Sequence, residues 1–193
     1  GEIIALQTVP TFDPNEFSKS DGAHFANPLV ERRYEFGSIV KALTMASGLD
    51  AGVIEPETTY NDTGRLTLNS KTISNYDGKA RGVVPMQEIL SQSLNVGVAF
   101  IAGRLGHDRM NEYFEKLGFG TETGIDLPGE IPGDINLMLK SDRDIEHATA
   151  SFGQGIAMTP VEMIKGLGAL ANNGAVVTPH IARSVRLSSG VEK

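Results

Sequence analysis

Strand-like patterning stands at both ends of this chain and helical periodicity fills the stretch between them, which limits the fold to a few layered architectures. The opening Ile3-Ile4-Ala5-Leu6 with Thr8-Val9 is β-rich, and Pro10 with Asp13-Pro14-Asn15 ends it in turn chemistry. Val176-Val177-Thr178-Pro179-His180-Ile181 and Val185-Arg186-Leu187 alternate in the same way near the other end. From about Ser38, the residues Ile39, Val40, Leu43 and Met45-Ala46 recur at helical spacing, with Gly48 and Gly52 as stops. Pro85 stands at the first turn of a short helix, a second helix covers about Asn95 to Leu105, and a third runs from Asp108 to Leu117. Residues 15–34 read as a loop and 53–72 as short extended pieces, while the glycines and prolines crowded into 118–135 make a long surface excursion. Residues 140–146 form a charged stretch, and Thr159-Pro160-Val161-Glu162 opens an apolar helix to Ala171. Strands outside and helices inside fit an α+β architecture better than an alternating βαβ one.

Composition excludes several classes of function. The 193 residues carry 17 Lys+Arg against 24 Asp+Glu, a net charge of −7, and no basic cluster that could neutralise phosphates, so no nucleic-acid partner is expected. With no Cys, disulfides, thiolate nucleophiles and Cys-based zinc sites are all excluded, and covalent chemistry must use an oxygen or an amine. His24, His107, His147 and His180 are scattered without metal-ligand spacing, so no metal site is expected. The run Val96 to Gly103 is far short of the ~20 apolar residues of a membrane helix. The chain reads as one domain, or as an excised piece of a larger one, because it opens in strand character without an initiator Met.

Two short motifs could carry oxygen or amine chemistry. In Ser38-Ile39-Val40-Lys41, residues three apart at a helix start face each other at roughly 5–6 Å between Cβ atoms. A desolvated Lys could then take the Ser proton, and the helix N-terminus would favour negative charge on an attacked carbonyl. In Ser93-Leu94-Asn95, at the junction of two helices, a hydroxyl could relay a proton while the amide binds a peptide group. Each has a plainer reading: a Ser cap with a solvated Lys one turn on, and a Ser93 or Asn95 cap on the following helix. Short motifs of this kind arise by chance, so the surrounding sequence must decide.

The surroundings are similar to the transpeptidase domain of penicillin-binding proteins, and more closely to the monofunctional class B enzymes. The matching stretches are Gly1 to Leu6 with Phe12-Asp13-Pro14-Asn15, Tyr34-Glu35-Phe36-Gly37-Ser38-Ile39-Val40-Lys41, and Ile89-Leu90-Ser91-Gln92-Ser93-Leu94-Asn95-Val96-Gly97. Leu117 to Gly120, Gly124 to Glu130 and Ser151-Phe152-Gly153-Gln154-Gly155 leading to Thr159-Pro160 continue the resemblance in order. It implies a β-lactamase/transpeptidase-like α+β fold, an antiparallel sheet flanked by helices with the Ser38 helix at the cleft. Ser38 would be the acylated nucleophile, Lys41 the base, Ser93 a proton relay and Asn95 a substrate amide partner.

The implied reaction is D,D-transpeptidation of peptidoglycan stem peptides through a serine acyl-enzyme, with β-lactams acylating the same serine and no cofactor or metal required. A β-lactam sensor, or a hydrolase such as a D,D-carboxypeptidase, would use the same pair, although Ser-Leu-Asn argues against a β-lactamase, where Ser-Asp-Asn stands. Partners would be stem peptides, β-lactam antibiotics and other wall-synthesis proteins, at the extracytoplasmic face of the cell envelope with any membrane anchor outside this segment. The family's third motif, Lys-Thr-Gly or Lys-Ser-Gly, does not occur: Lys19 is followed by Ser-Asp and Lys71 by Thr-Ile. Residues 1–193 are therefore expected to be a partial transpeptidase domain lacking that strand, incomplete at its sheet edge and prone to self-association. Phe36 stands where the family often has Pro, a change expected to matter little beside Gly37.

Overall fold

A computed structural model describes residues 1–190. Its helices are α1 (Pro28–Glu31), α2 (Val40–Asp50), α3 (Met86–Ser91), α4 (Asn95–Leu105), α5 (His107–Lys116), α6 (Asn136–Leu139), α7 (Asp144–Ala150) and α8 (Pro160–Ala171). Its strands are β1 (Thr59–Asp62), β2 (Arg65–Leu68), β3 (Lys71–Ser74) and β4 (Gly82–Pro85). Antiparallel pairing joins β1 to β4 with Thr59 opposite Pro85, and β2 to β3 with Leu68 opposite Lys71. Asn69 and Ser70, both at positive φ, make the two-residue hairpin turn whose twist suits such strands.

The helices α2 and α4 cross at the centre of the main core. Val40, Leu43 and Met45 of one pack with Val98, Ile101 and Leu105 of the other, all nearly or fully buried. Each such aliphatic side chain contributes about 1.5–3 kcal/mol on leaving water. Gly48 makes the close approach possible, since a Cβ there would lie 2.7 Å from Ile101 Cγ2 and 3.0 Å from Ile54 Cδ1. This is why α2 runs through Gly48 to Asp50 instead of stopping there, as its sequence suggests: at this position the glycine serves packing. Thr44 then donates its hydroxyl to Ser151 O at 2.8 Å and ties α2 to the end of α7.

Where the 118–135 segment lacks regular structure, carboxylates order it. Glu130 accepts from Thr123 N at 2.8 Å and Gly124 N at 3.0 Å, and Asp126 accepts from Ile181 N and Ala182 N. Glu162 is buried at the start of α8, where it forms a capping box with Thr159 and also accepts from Gly120 N at 2.6 Å. Burial pushes its pKa up to about 7, against the backbone N–H donors that favour its charge.

Further expectations need correction. Residues 15–34, read as a loop, contain α1, which starts where the Asn27 side chain accepts from Leu29 N ahead of Pro28. The terminal strands do not form as expected: Glu2 and His180 make one parallel bridge, carried by Ile3 N to His180 O and His180 N to Gly1 O, each 2.8 Å. Ile4 is 96% exposed while Ile3 and Leu6 pack against Val30, Ile125 and Val161, so one face is covered; among the described residues no further strand extends the single bridge, and an isolated pair is marginal. Pro85 is the residue before α3 and the last of β4, rather than its first helical residue. Part of the charged stretch is helical, because Ile145, His147, Ala148 and Ala150 give α7 a buried face.

Candidate active site

The chain leading into the turn that carries Ser38 is stapled to residues 153–158. Ser38 lies in the 3-10 turn Gly37–Ile39, which runs directly into α2, and it remains exposed. Before it, Tyr34 exchanges two backbone hydrogen bonds with Met158, and Glu35 accepts from Gly155 N at 2.9 Å. Gly37, at φ +61, donates its N–H to Gly153 O at 3.2 Å. A Cβ on Gly153 would lie 2.3 Å from Gly37 O and 2.7 Å from Gly37 N, where only backbone could give way. Gly153→Ala is therefore expected to destabilise the chain by about 3 kcal/mol, combining positive-φ strain with overpacking. Urea unfolding checks this, and a loss under about 0.5 kcal/mol, the range of a neutral surface change, would show that the contact is slack.

Lys41 is 2% exposed, one of the largest fully buried side chains in the molecule, which replaces the solvated-lysine reading. Its Nζ donates to Ser93 O at 2.6 Å and to Ser93 Oγ at 2.8 Å. Burial lowers its pKa to about 8, so roughly a tenth is neutral at pH 7. A neutral amine that gives two N–H bonds to Ser93 keeps a lone pair for the Ser38 proton. Ser38 Oγ has no hydrogen-bond partner among the described residues, so the structure does not form the direct Ser38–Lys41 bond. Such bonds are often long in unliganded sites and tighten on substrate binding.

Ser93 is delivered by the C-terminal cap of α3. Leu94 N donates to Ile89 O and Ser93 N to Leu90 O, the two bonds of a Schellman motif, with Ser93 itself at φ +53. Leu94 and Ile89 supply the buried apolar contact that goes with that motif. Glycine is the favoured residue at this left-handed position, and serine there costs about 1–2 kcal/mol. What serine provides is a hydroxyl beside the lysine.

Asn95 begins α4 and points its amide at β3, donating to Ser74 O at 3.0 Å. Neither Ser93 nor Asn95 caps α4; the residue before the helix is Leu94, without a capping oxygen. The cap comes from Asn75, a residue the sequence reading did not single out, whose Oδ1 accepts from Val96 N at 3.2 Å. Only a tertiary contact identifies it. Asn95 also lines a groove of about 310 Å3 with Lys71, Ser74, Glu146, Thr149 and Gln154. An apolar cavity of about 400 Å3 at the far end of α4, walled in part by Leu68, Phe100, His107 and His147, is remote from these residues.

An exposed serine, a desolvated amine one turn on and a second serine bonded to that amine can perform acyl transfer through oxygen. That chemistry has a known owner. The chain belongs to the penicillin binding protein transpeptidase domain family, which it matches over residues 1–191. It is 31% identical over 185 residues to stage V sporulation protein D of Bacillus subtilis, covering 95% of this chain and 28% of that protein. It is 32% identical over 191 residues to a peptidoglycan D,D-transpeptidase FtsI homolog of Mesostigma viride, covering 94% of this chain and 32% of the relative. Its fold matches that of penicillin binding protein 3 of Mycobacterium tuberculosis, solved in complex with ampicillin, with a TM-score of 0.85 and 27% identity. That match covers 95% of this chain and 40% of the solved one. The chain thus spans about a third of the length of the curated relatives it matches.

Proposed function

We propose that these residues carry the nucleophile, base and proton relay of a class B serine D,D-transpeptidase acting on peptidoglycan stem peptides. The observation that carries the reading is Lys41: a lysine buried one turn from an exposed serine, with its pKa lowered to about 8 and two of its hydrogens occupied by Ser93. Ser38 Oγ attacks the penultimate D-Ala carbonyl and gives its proton to Lys41 Nζ. The peptide C–N bond breaks, D-Ala leaves as an amine that takes a proton passed through Ser93 Oγ, and an acyl-Ser38 ester remains. An amine of a neighbouring strand attacks that ester, forms the cross-link and returns the proton to Ser38. Asn95, on the groove beside β3, holds the amide of the donor peptide.

β-Lactams would acylate Ser38 in the same way, as the resemblance to an ampicillin-bound relative supports. On this reading residues 1–193 are part of one transpeptidase domain, and the Lys-Thr/Ser-Gly strand is supplied from outside them. The domain works at the extracytoplasmic face of the envelope with its anchor elsewhere; among the described residues no helix is long and apolar enough to cross a membrane.

The test is acceptor choice. Incubation of the full-length protein with a D-Ala-D-Ala donor peptide and an amine acceptor should give a cross-linked product and free D-Ala. Free acid without cross-link would identify a carboxypeptidase, and a stable acyl-enzyme without turnover would identify a sensor.

A further inference from the structure

Two buried polar side chains meet behind the proposed site and belong to none of its assigned roles. Asp62, at the end of β1, is fully buried, and Asn75, which follows β3, is 2% exposed. The Asp62 carboxylate accepts from Gly64 N, from Arg81 N and, through both oxygens, from Asn75 Nδ2 at 3.0 and 2.9 Å. An ionised carboxylate accepts only, so the nitrogen of the Asn75 amide must face Asp62. Its oxygen must then face α4, where it takes the Val96 N–H that Leu94 has no oxygen to satisfy. Ser74, the preceding residue, holds Asn95 Nδ2 through its carbonyl. Two consecutive residues at the end of β3 thus grip two consecutive residues at the start of α4. Ser93 is the positive-φ residue of the α3 Schellman turn, fixed by that turn on one side and followed through Leu94 by this grip on the other.

We propose that Asn75, oriented by Asp62, is a positioning residue for acyl transfer: by capping α4 from another element it holds Ser93 O and Oγ against the Lys41 amine. The inference rests on the roles proposed above for Ser38, Lys41 and Ser93. Asn75 touches neither the nucleophile nor the base; its effect passes through Val96 N–H and the Leu94 backbone to Ser93.

The test compares Asn75→Ala and Asn75→Asp with the parent in the full-length protein, by the rate of labelling with a fluorescent penicillin across pH. Asn75→Ala should acylate roughly 10- to 100-fold more slowly, as misplacement of about 1 Å commonly costs, with the loss in the limiting acylation rate and not in penicillin affinity. In Asn75→Asp the new carboxyl faces Asp62 and Tyr60 on β1 and the loop carrying Asp77, Lys79 and Arg81, while the first turns of α4 bring no ionisable group. Protonated, it can donate to Asp62 and accept from Val96; ionised, it repels Asp62 and loses its donor. Its acylation rate should therefore fall as pH rises through neutrality, where the parent's rate rises.

A merely structural role would lower the melting temperature without inverting that profile. Parent-like rates in Asn75→Ala would overturn the proposal. So would an Asn75→Asp profile parallel to the parent's, or failure of Asn75→Asp to fold even at mildly acid pH, where the protonated carboxyl should replace the amide. A parent protein that takes no label at Ser38 would overturn the functional reading along with this one, whereas a labelled parent with unaffected variants overturns this one alone.

Discussion

A fluorescent penicillin incubated with the full-length protein is expected to label Ser38 and, within these residues, no other serine; Ser38→Ala should remove the label completely. Ser38 alone combines exposure, a place in the turn that enters an 11-residue helix, and a desolvated lysine one turn later. Ser93 has a hydroxyl near the same lysine, but it accepts that lysine's hydrogen and is held in the turn that closes α3. Ser47 and Ser151 are buried and spend their hydroxyls on Leu43 O and Ala148 O. Mass spectrometry of the labelled peptide decides: an adduct on Ser93 would reverse the roles given to the two serines.

Replacing Lys41 by Ala should slow acylation by at least ~10²-fold, the usual cost of losing a positioned general base, with Ser38 still in place. The parent's acylation rate should rise with pH and level off above about 8, because only the neutral amine accepts the Ser38 proton and burial has brought its pKa to that value. Lys41→Arg should not restore the rate, since a guanidinium stays charged and its planar fork does not fit a site shaped for two bonds to Ser93. Stopped-flow labelling across pH measures both effects. A near-normal rate in the Arg variant, or a flat parent profile through this range, would mean that Lys41 acts only as a fixed positive charge.

Local signals were legible wherever the chain itself satisfies its backbone. The helix at Thr159-Pro160-Val161-Glu162 forms as read, with the threonine cap, the proline at the first position and the glutamate closing the capping box. The bounds of α4 also agree with the sequence, as Gly106 at φ +74 terminates it. The Ser38 helix start and the irregular junction at Ser93 were likewise readable, because a glycine at positive φ and a Ser-x-Asn between two apolar periodicities are local facts.

What the tertiary structure decided is everything that depends on a partner distant in sequence. That Lys41 is desolvated and not solvated follows from Ser93 lying against it, 52 residues away. That α4 is capped at all follows from Asn75, 21 residues before Val96, and that the Ser38 turn holds its shape follows from Gly153, whose missing side chain leaves room for Gly37. The terminal segments show the converse: their alternation reads as strand, and Ile3 and Leu6 do pack inward, but among the described residues only one bridge joins the two segments and an isolated pair is marginal. Sequence alone singled out Ser38 and Lys41 and carried the family resemblance, since motifs and helix caps are short-range chemistry. The lowered pKa of Lys41 and the fixed position of Ser93 arise from burial and from hydrogen bonds across elements, and packing alone creates those.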